Sequence, residues 1–146
     1  MARGLYYAAQ FLTGPIDAPC AAILCDCLAR LDEYAMRANP SLNVDLVTSG
    51  LRYGPEARGY SDQYLSAEPL LHAGYGDCTE FSAYRVAQLR IAGRPARVVI
   101  VDGGGDLHAI VGREGDRLED PSLLVGMPSY PWPPKILALG PWAKRS

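Results

Sequence analysis

Cys78 and the chain's two histidines are the residues whose types and placement could perform nucleophilic chemistry. Cys78 follows Gly74-Tyr75-Gly76-Asp77, and Asp77 and Glu80 have the spacing of a capping box, so a helix is predicted to begin at Cys78. Unpaired backbone N–H groups and the helix dipole favour a thiolate over a thiol in the first turn of a helix. Cys78 is therefore a candidate nucleophile, and its own backbone N–H is a candidate oxyanion-hole donor.

A nucleophilic thiol needs a base, and the candidates are His72 and His108. His108 begins a predicted strand that would pack on the Cys78 helix, where its imidazole could reach the helix N-terminus. His72 lies only six residues before Cys78 and is more typical of a structural or surface histidine. We therefore expect His108 to act as the base.

A carboxylate that fixes the histidine tautomer would complete a triad. Asp120, at the end of a predicted strand, could accept a hydrogen bond from the His108 imidazole and is one candidate. Asp106 and Asp116 compete with it, although both fit turns well. The order of the predicted triad along the chain is thus cysteine, histidine, aspartate.

The helices that must position these residues follow from the hydrophobic pattern. Apolar residues recur at helical spacing between Cys20 and Ala38, which predicts an amphipathic helix that begins near Asp17 or Ala18. A short helical turn is predicted after Ser66, and a mostly buried helix from Cys78 to Gly93. The predicted buried face of the first helix consists of Cys20, Leu24, Cys27, Leu28, Leu31, Ala35 and Ala38.

The strands are predicted to form an antiparallel meander of three, at 96–101, 107–111 and 117–120, because these runs are rich in β-branched residues and separated by glycine-rich turns. Residues 41–64 are predicted to be mostly loop. The proline-rich segment 126–146 cannot join a central strand and is expected to run extended over the surface. Packing of this segment on the domain is favoured over a polyproline ligand, but Tyr130, Trp132 and Trp142 remain a candidate surface for a protein partner.

Length and charge limit the function classes. The chain has 146 residues, which predicts one domain over 1–146, and its formal net charge is −2 without a basic stripe, so a nucleic-acid partner is not expected. No apolar run is long enough to cross a bilayer and no signal peptide is evident, which predicts a cytoplasmic chain with reduced thiols and no membrane partner. Cys20, Cys25 and Cys27 could be considered as zinc ligands, but Cys25 and Cys27 lie on different faces of one helix, so no metal and no cofactor are expected.

Three segments together resemble the transglutaminase-like superfamily of papain-related cysteine enzymes. They are Gly76-Asp77-Cys78-Thr79-Glu80-Phe81-Ser82, Ile91-Ala92-Gly93-Arg94-Pro95-Ala96-Arg97-Val98, and His108 with Asp120-Pro121. The resemblance covers about residues 63–125. It implies an α+β fold in which the cysteine helix packs on a small antiparallel sheet, with N-terminal helices.

The resemblance also implies chemistry. It assigns Cys78 as nucleophile, His108 as general base and acid, and Asp120 as orienting carboxylate, with Gln63 and Tyr64 as candidates for an upstream oxyanion-hole side chain. The expected activity is acyl transfer on a protein or peptide amide through a thioester. A cysteine peptidase or amidase is expected first, since at 146 residues the chain lacks the extra domains of large cross-linking transglutaminases. Small single-domain members of the superfamily occur in bacteria and their phages, which is consistent with a role in protein processing. The alternatives are a cross-linking transglutaminase, a catalytically silent binding module and, less favoured, an arylamine acyltransferase.

Overall fold

A long helix and a buried central helix pack on one face of a four-stranded sheet. The computed structural model describes residues 17–54 and 64–143. The helices are α1 (Ala18–Ala38), α2 (Ala67–Ala73), α3 (Cys78–Ile91) and α4 (Pro121–Leu124), with 3-10 turns at Pro40–Leu42 and Glu114–Asp116. In the described residues no helix combines the length and apolar character needed to cross a membrane.

The main sheet extends the predicted meander by one strand. It contains β3 (Ala96–Asp102), β4 (Leu107–Arg113), β5 (Arg117–Glu119) and β6 (Ile136–Leu139), in the order β5-β4-β3-β6 with every pair antiparallel. The three predicted strands are therefore confirmed, and β6 is an addition. A separate parallel pair joins β1 (Arg52–Tyr53) to β2 (Tyr75–Gly76). Strand β1 lies in the segment that was predicted to be mostly loop, and β2 follows the short helix predicted after Ser66.

The strand β6 corrects the expectation that the proline-rich segment only runs over the surface. The stretch Ile136–Leu139 contains no proline, so its backbone N–H groups are available for a ladder with β3. It occupies the edge of the sheet, which is the position where a strand bounded by prolines is tolerated. The prolines of segment 126–146 thus lie outside the strand. The prediction that this whole segment runs over the surface is wrong for Ile136–Leu139.

Helix α1 begins as predicted, because the Asp17 side chain accepts a hydrogen bond of 2.9 Å from the Cys20 backbone N–H. Its buried face differs from the prediction, since Cys20 and Cys27 are exposed. Asp26 and Asp32, which lie outside the predicted buried face, are buried. The buried residues of α1 are Ala22, Leu24, Cys25, Asp26, Leu28, Ala29, Asp32 and Met36.

Specific polar contacts explain why two aspartates lie on that face. Asp26 forms a buried ion pair with Arg90 of α3, with Oδ1 and Nη2 3.0 Å apart. Asp32 accepts a hydrogen bond of 2.7 Å from the backbone N–H of Ala67 at the start of α2. Helix α1 therefore turns these two aspartates toward polar groups of α2 and α3. Hydrophobic periodicity cannot predict this orientation, because it counts only apolar residues.

The apolar core lies between the helices and the inner face of the sheet. Residues of α1 and α3 meet alternating residues of β3 and β4, such as Val98, Ile100 and Val111. A second cluster packs α2 and the far end of α1 against Phe81 and Tyr84 of α3. Helix α3 is therefore buried on both sides, which holds its first turn at a fixed place relative to the sheet.

Candidate active site

The start of helix α3 is held by the capping box that the sequence predicts. Asp77 Oδ1 accepts from the Glu80 backbone N–H at 3.0 Å, and Glu80 Oε1 accepts from the Asp77 N–H at 3.1 Å. The other Glu80 oxygen accepts from the Leu65 N–H at 2.6 Å, and the Glu80 side chain is fully buried. Cys78 is the first residue of the helix, so its thiol lies where an anion is favoured.

Gly76 allows the chain to reach this helix start. A Cβ atom at position 76 would lie 2.6 Å from Leu70 Cδ1 and 3.3 Å from Phe81 Cζ, closer than side-chain carbons approach each other. The absence of a side chain therefore lets the backbone pass close to α2 and α3. This contact accounts for the second glycine of the segment that precedes Cys78.

His108 and Asp120 form a direct contact, as the predicted triad requires. Nε2 of His108 and Oδ2 of Asp120 are 2.6 Å apart, and both residues are buried. Asp120 lies just after β5 at the N-cap of α4, where its Oδ1 accepts from the Ser122 N–H at 3.0 Å. Since Nε2 faces the carboxylate, Nδ1 is the imidazole nitrogen left to exchange a proton with a thiol.

The surroundings of His108 favour its protonated form. Burial lowers the pKa of His108, but the hydrogen bond to Asp120 and the interaction with Cys78 raise it, and the net result is a pKa of about 9 instead of 6.5. The influence of Cys78 on this pKa also indicates that the thiol and the imidazole are neighbours. At neutral pH the imidazole of His108 is therefore protonated.

A cleft of about 240 Å³ opens onto Cys78 and His108. Its walls come from the β3–β4 turn on one side and from the segment that follows α4 on the other. Its described lining contains no lysine or arginine. These residues are Tyr53, Cys78, Gly103, Asp106, Leu107, His108, Met127, Pro128 and Tyr130.

Tyr130 belongs to this site, although sequence reasoning considered it only for a partner surface. Its hydroxyl donates a hydrogen bond of 2.7 Å to Asp120 Oδ2, and its ring lies edge-on to the His108 imidazole with centroids 5.3 Å apart. Trp132 contacts Tyr130 and is about half exposed, and Trp142 lies over the guanidinium of Arg97. No spacing rule links residue 130 to residue 120, so only the folded chain reveals the contact.

The remaining candidates from the sequence are not all at the cleft. His72 is exposed in the last turn of α2 and does not line it. Tyr64 is partly buried against the core cluster that includes Cys78, and burial with the nearby Asp77 and Cys78 raises its pKa. Gln63 lies outside the described residues. Asp106 lines the cleft, but the carboxylate that contacts His108 is that of Asp120.

Comparison with known proteins identifies the family. Residues 37–114 match the model of the transglutaminase-like superfamily, which is more than half of the chain. The chain belongs to the transglutaminase-like superfamily. No curated protein sequence and no solved structure gives a significant match.

Membership of this superfamily confirms the resemblance seen in the sequence motifs, and the mixed helix and sheet structure agrees with the α+β fold expected from it. Members of the transglutaminase-like superfamily are generally cysteine enzymes. The matched range includes Cys78 and His108 and ends six residues before Asp120. The placement of the carboxylate therefore rests on the contact of Asp120 with His108.

Proposed function

We propose that this protein is a thiol-dependent acyl-transfer enzyme, which cleaves an amide of a protein or peptide through a thioester on Cys78. The observation that carries the proposal is the 2.6 Å contact between His108 and Asp120 beside a cleft that the Cys78 thiol also lines. The raised pKa of His108 supports it, because a protonated imidazole next to a thiolate is the resting state of such enzymes.

The first half of the proposed reaction forms the thioester. In the resting pair the Cys78 proton is already on His108 Nδ1, and the thiolate sulfur attacks the carbonyl carbon of the amide. The backbone N–H of Cys78, one of the first N–H groups of α3 without a partner inside the helix, stabilises the oxyanion. The C–N bond then breaks, and the departing nitrogen takes the proton from His108, so that an amine or ammonia leaves.

The second half transfers the acyl group to an acceptor. Neutral His108 removes a proton from the acceptor, which attacks the thioester carbon. The C–S bond breaks, and the Cys78 sulfur leaves as a thiolate beside the imidazolium, which restores the resting pair. Water as acceptor makes the protein a cysteine peptidase or amidase, which is the function we favour since the cleft is open to solvent. Asp120 stabilises the imidazolium in both halves and accepts no proton.

A transglutaminase is the second candidate, and Asp106 is the observation that favours it. Asp106 lines the cleft, whose described lining contains no lysine or arginine. A carboxylate at this place would attract the ammonium group of a lysine side chain toward the thioester. An amine acceptor would then compete with water.

The proposal is tested by incubating the protein with peptides that contain glutamine and internal amide bonds, in the presence and absence of a fluorescent primary amine. We expect an acyl adduct on Cys78 by intact-mass and peptide analysis, with peptide cleavage or ammonia release in water. Fluorescent product instead of hydrolysis would favour the transglutaminase.

The matched controls are Cys78→Ser and Cys27→Ser, because Cys27 is an exposed cysteine of α1 that does not line the cleft. The first variant should abolish the adduct, and the second should leave it unchanged. Product formation that survives in Cys78→Ser, or no adduct with any peptide, would contradict the proposal and favour a catalytically silent binding module.

A further inference from the structure

Tyr130, in the segment between α4 and β6, contacts two members of the proposed triad. Its hydroxyl donates to Asp120 Oδ2 at 2.7 Å, and the same oxygen lies 2.6 Å from His108 Nε2. The ring of Tyr130 also meets the His108 imidazole edge-on. One side chain thus touches both the carboxylate and the base.

We infer that Tyr130 is a positioning residue, whose hydroxyl holds the Asp120 carboxylate in the orientation that directs His108 toward Cys78. The inference rests on the proposed function and goes beyond it, because it adds a residue outside the triad. It also gives the segment after α4 a role in the chemistry.

The hydrogen bonds at Asp120 explain why one hydroxyl matters. Oδ1 accepts from the Ser122 N–H, whereas Oδ2 accepts from His108 and Tyr130, so donors on both oxygens fix the plane of the carboxylate. The Asp120 side chain is fully buried, so water cannot readily replace a lost donor. Without the phenol, Oδ2 would keep only His108, so two donors instead of three would hold the carboxylate and its orientation would be less restricted.

The phenol is suited to this role at every physiological pH. Burial and the hydrogen bond to the negatively charged Asp120 raise the pKa of Tyr130 far above its usual value. The hydroxyl therefore stays protonated and always donates. The other groups that influence the imidazole are Cys78 and Asp120, with Asp106 at the rim of the same cleft.

The ring of Tyr130 has a separate effect from its hydroxyl. It lines the cleft beside His108, and Trp132 packs against it with centroids 6.0 Å apart. The ring excludes water from the His108–Asp120 contact and so strengthens it. Tyr130→Phe keeps the ring and removes the donor, which isolates the hydrogen bond.

The test measures alkylation of Cys78 by iodoacetamide as a function of pH in Tyr130→Phe, resolved by peptide mapping, together with the melting temperature. A misplaced imidazolium stabilises the thiolate less, so the alkylation rate at about pH 6 should fall roughly tenfold, which corresponds to one pH unit in the profile. Tyr34→Phe is the matched control, since Tyr34 is exposed on α1, and its profile should coincide with the wild type.

The outcomes separate this inference from the proposed function. A wild-type protein in which Cys78 reacts no faster than an ordinary thiol at about pH 6 would contradict the proposed function itself. Fast wild-type reaction that persists unchanged in Tyr130→Phe would contradict only the positioning role. All rates are taken below the melting transition of each variant, so a change in stability cannot imitate the effect.

Discussion

Gly103 and His108 approach each other so closely that a methyl group at position 103 would force a neighbouring atom to move by a few tenths of an ångström. A Cβ atom at position 103 would lie 3.0 Å from His108 Cβ and 3.2 Å from the Asp106 carbonyl oxygen. Gly103 therefore sets the place of the imidazole from the side of the β3–β4 turn. We expect Gly103→Ala to displace His108 and to lower the low-pH alkylation rate of Cys78 roughly tenfold or more, because small displacements of catalytic groups are costly.

Gly104→Ala is the matched control for this substitution. Gly104 lies in the same turn, and an added Cβ would meet no atom within 4 Å, but its φ of +90° is strained for any other residue. We expect Gly104→Ala to lower the melting temperature and to leave the alkylation of Cys78 unchanged. Equal reactivity of Gly103→Ala and the wild type would contradict the proposed placement of His108.

Replacement of Asp120 by asparagine should invert the proton arrangement of His108. In this variant the amide oxygen accepts from the Ser122 N–H, and the amide NH₂ faces His108 Nε2. Nε2 must then accept a hydrogen bond, so the imidazole proton lies on Nδ1. Nδ1 therefore cannot take a proton from Cys78. We expect peptide turnover to fall at least about a hundredfold. Asp116→Asn, in an exposed turn, should retain full turnover, and a similar loss in both variants would contradict a specific role of Asp120.

The raised pKa of His108 predicts that the protein loses stability at alkaline pH. The pKa is about 9 in the folded chain and 6.5 in the unfolded chain, so folding favours the protonated form. This stabilisation is complete below about pH 6.5 and is lost as the pH rises through about 9, with a magnitude of order 2 kcal/mol. Urea unfolding across this range should show the loss in the wild type and a much flatter profile in His108→Gln.

Asp32 predicts a pH dependence of its own in the lower range. Burial raises the pKa of Asp32 well above its usual value, and none of the described residues lies within hydrogen-bond distance of its Oδ2. Its neutral form is therefore favoured by folding, and stability falls as the pH rises from about 4.

We expect Asp32→Asn to escape this loss, because the amide oxygen can still accept from the Ala67 N–H. Relative to the wild type, the variant should gain about 1 kcal/mol or more between acid and neutral pH, a magnitude typical of an unsatisfied buried polar group. Denaturant unfolding at both pH values measures the difference. A constant difference between the two proteins would show that Asp32 does not titrate in this way.

The sequence predicts local features of this protein well. The capping box at Asp77 and Glu80 places the start of α3, and the β-branched runs place strands β3, β4 and β5, because both depend on neighbouring residues. The contact between His108 and Asp120 also follows from the order of these elements, since β4 and β5 are adjacent in the sheet.

Features that depend on distant partners could not be predicted in this way. The buried face of α1 is set by Arg90 and Ala67, which satisfy two aspartates that look solvent-exposed in the sequence. Tyr130 reaches Asp120 only because the chain turns back after α4. In each case a buried polar contact between separate segments determines where the side chain lies. Hydrophobic periodicity cannot predict such a contact, because it depends only on residues close in sequence.

The central claim, that His108 activates the Cys78 thiol, is tested most directly by the pH dependence of iodoacetamide alkylation at all four cysteines, in the wild type and in His108→Ala. Cys25 is buried and its pKa is raised by burial, and Asp17 raises the pKa of Cys20. The account predicts that Cys78 alone reacts fast below about pH 7 and that this reactivity disappears in His108→Ala. Cys78 that reacts like an ordinary thiol, with its rate rising only near about pH 8.5, or that is unaffected by loss of His108, would contradict it.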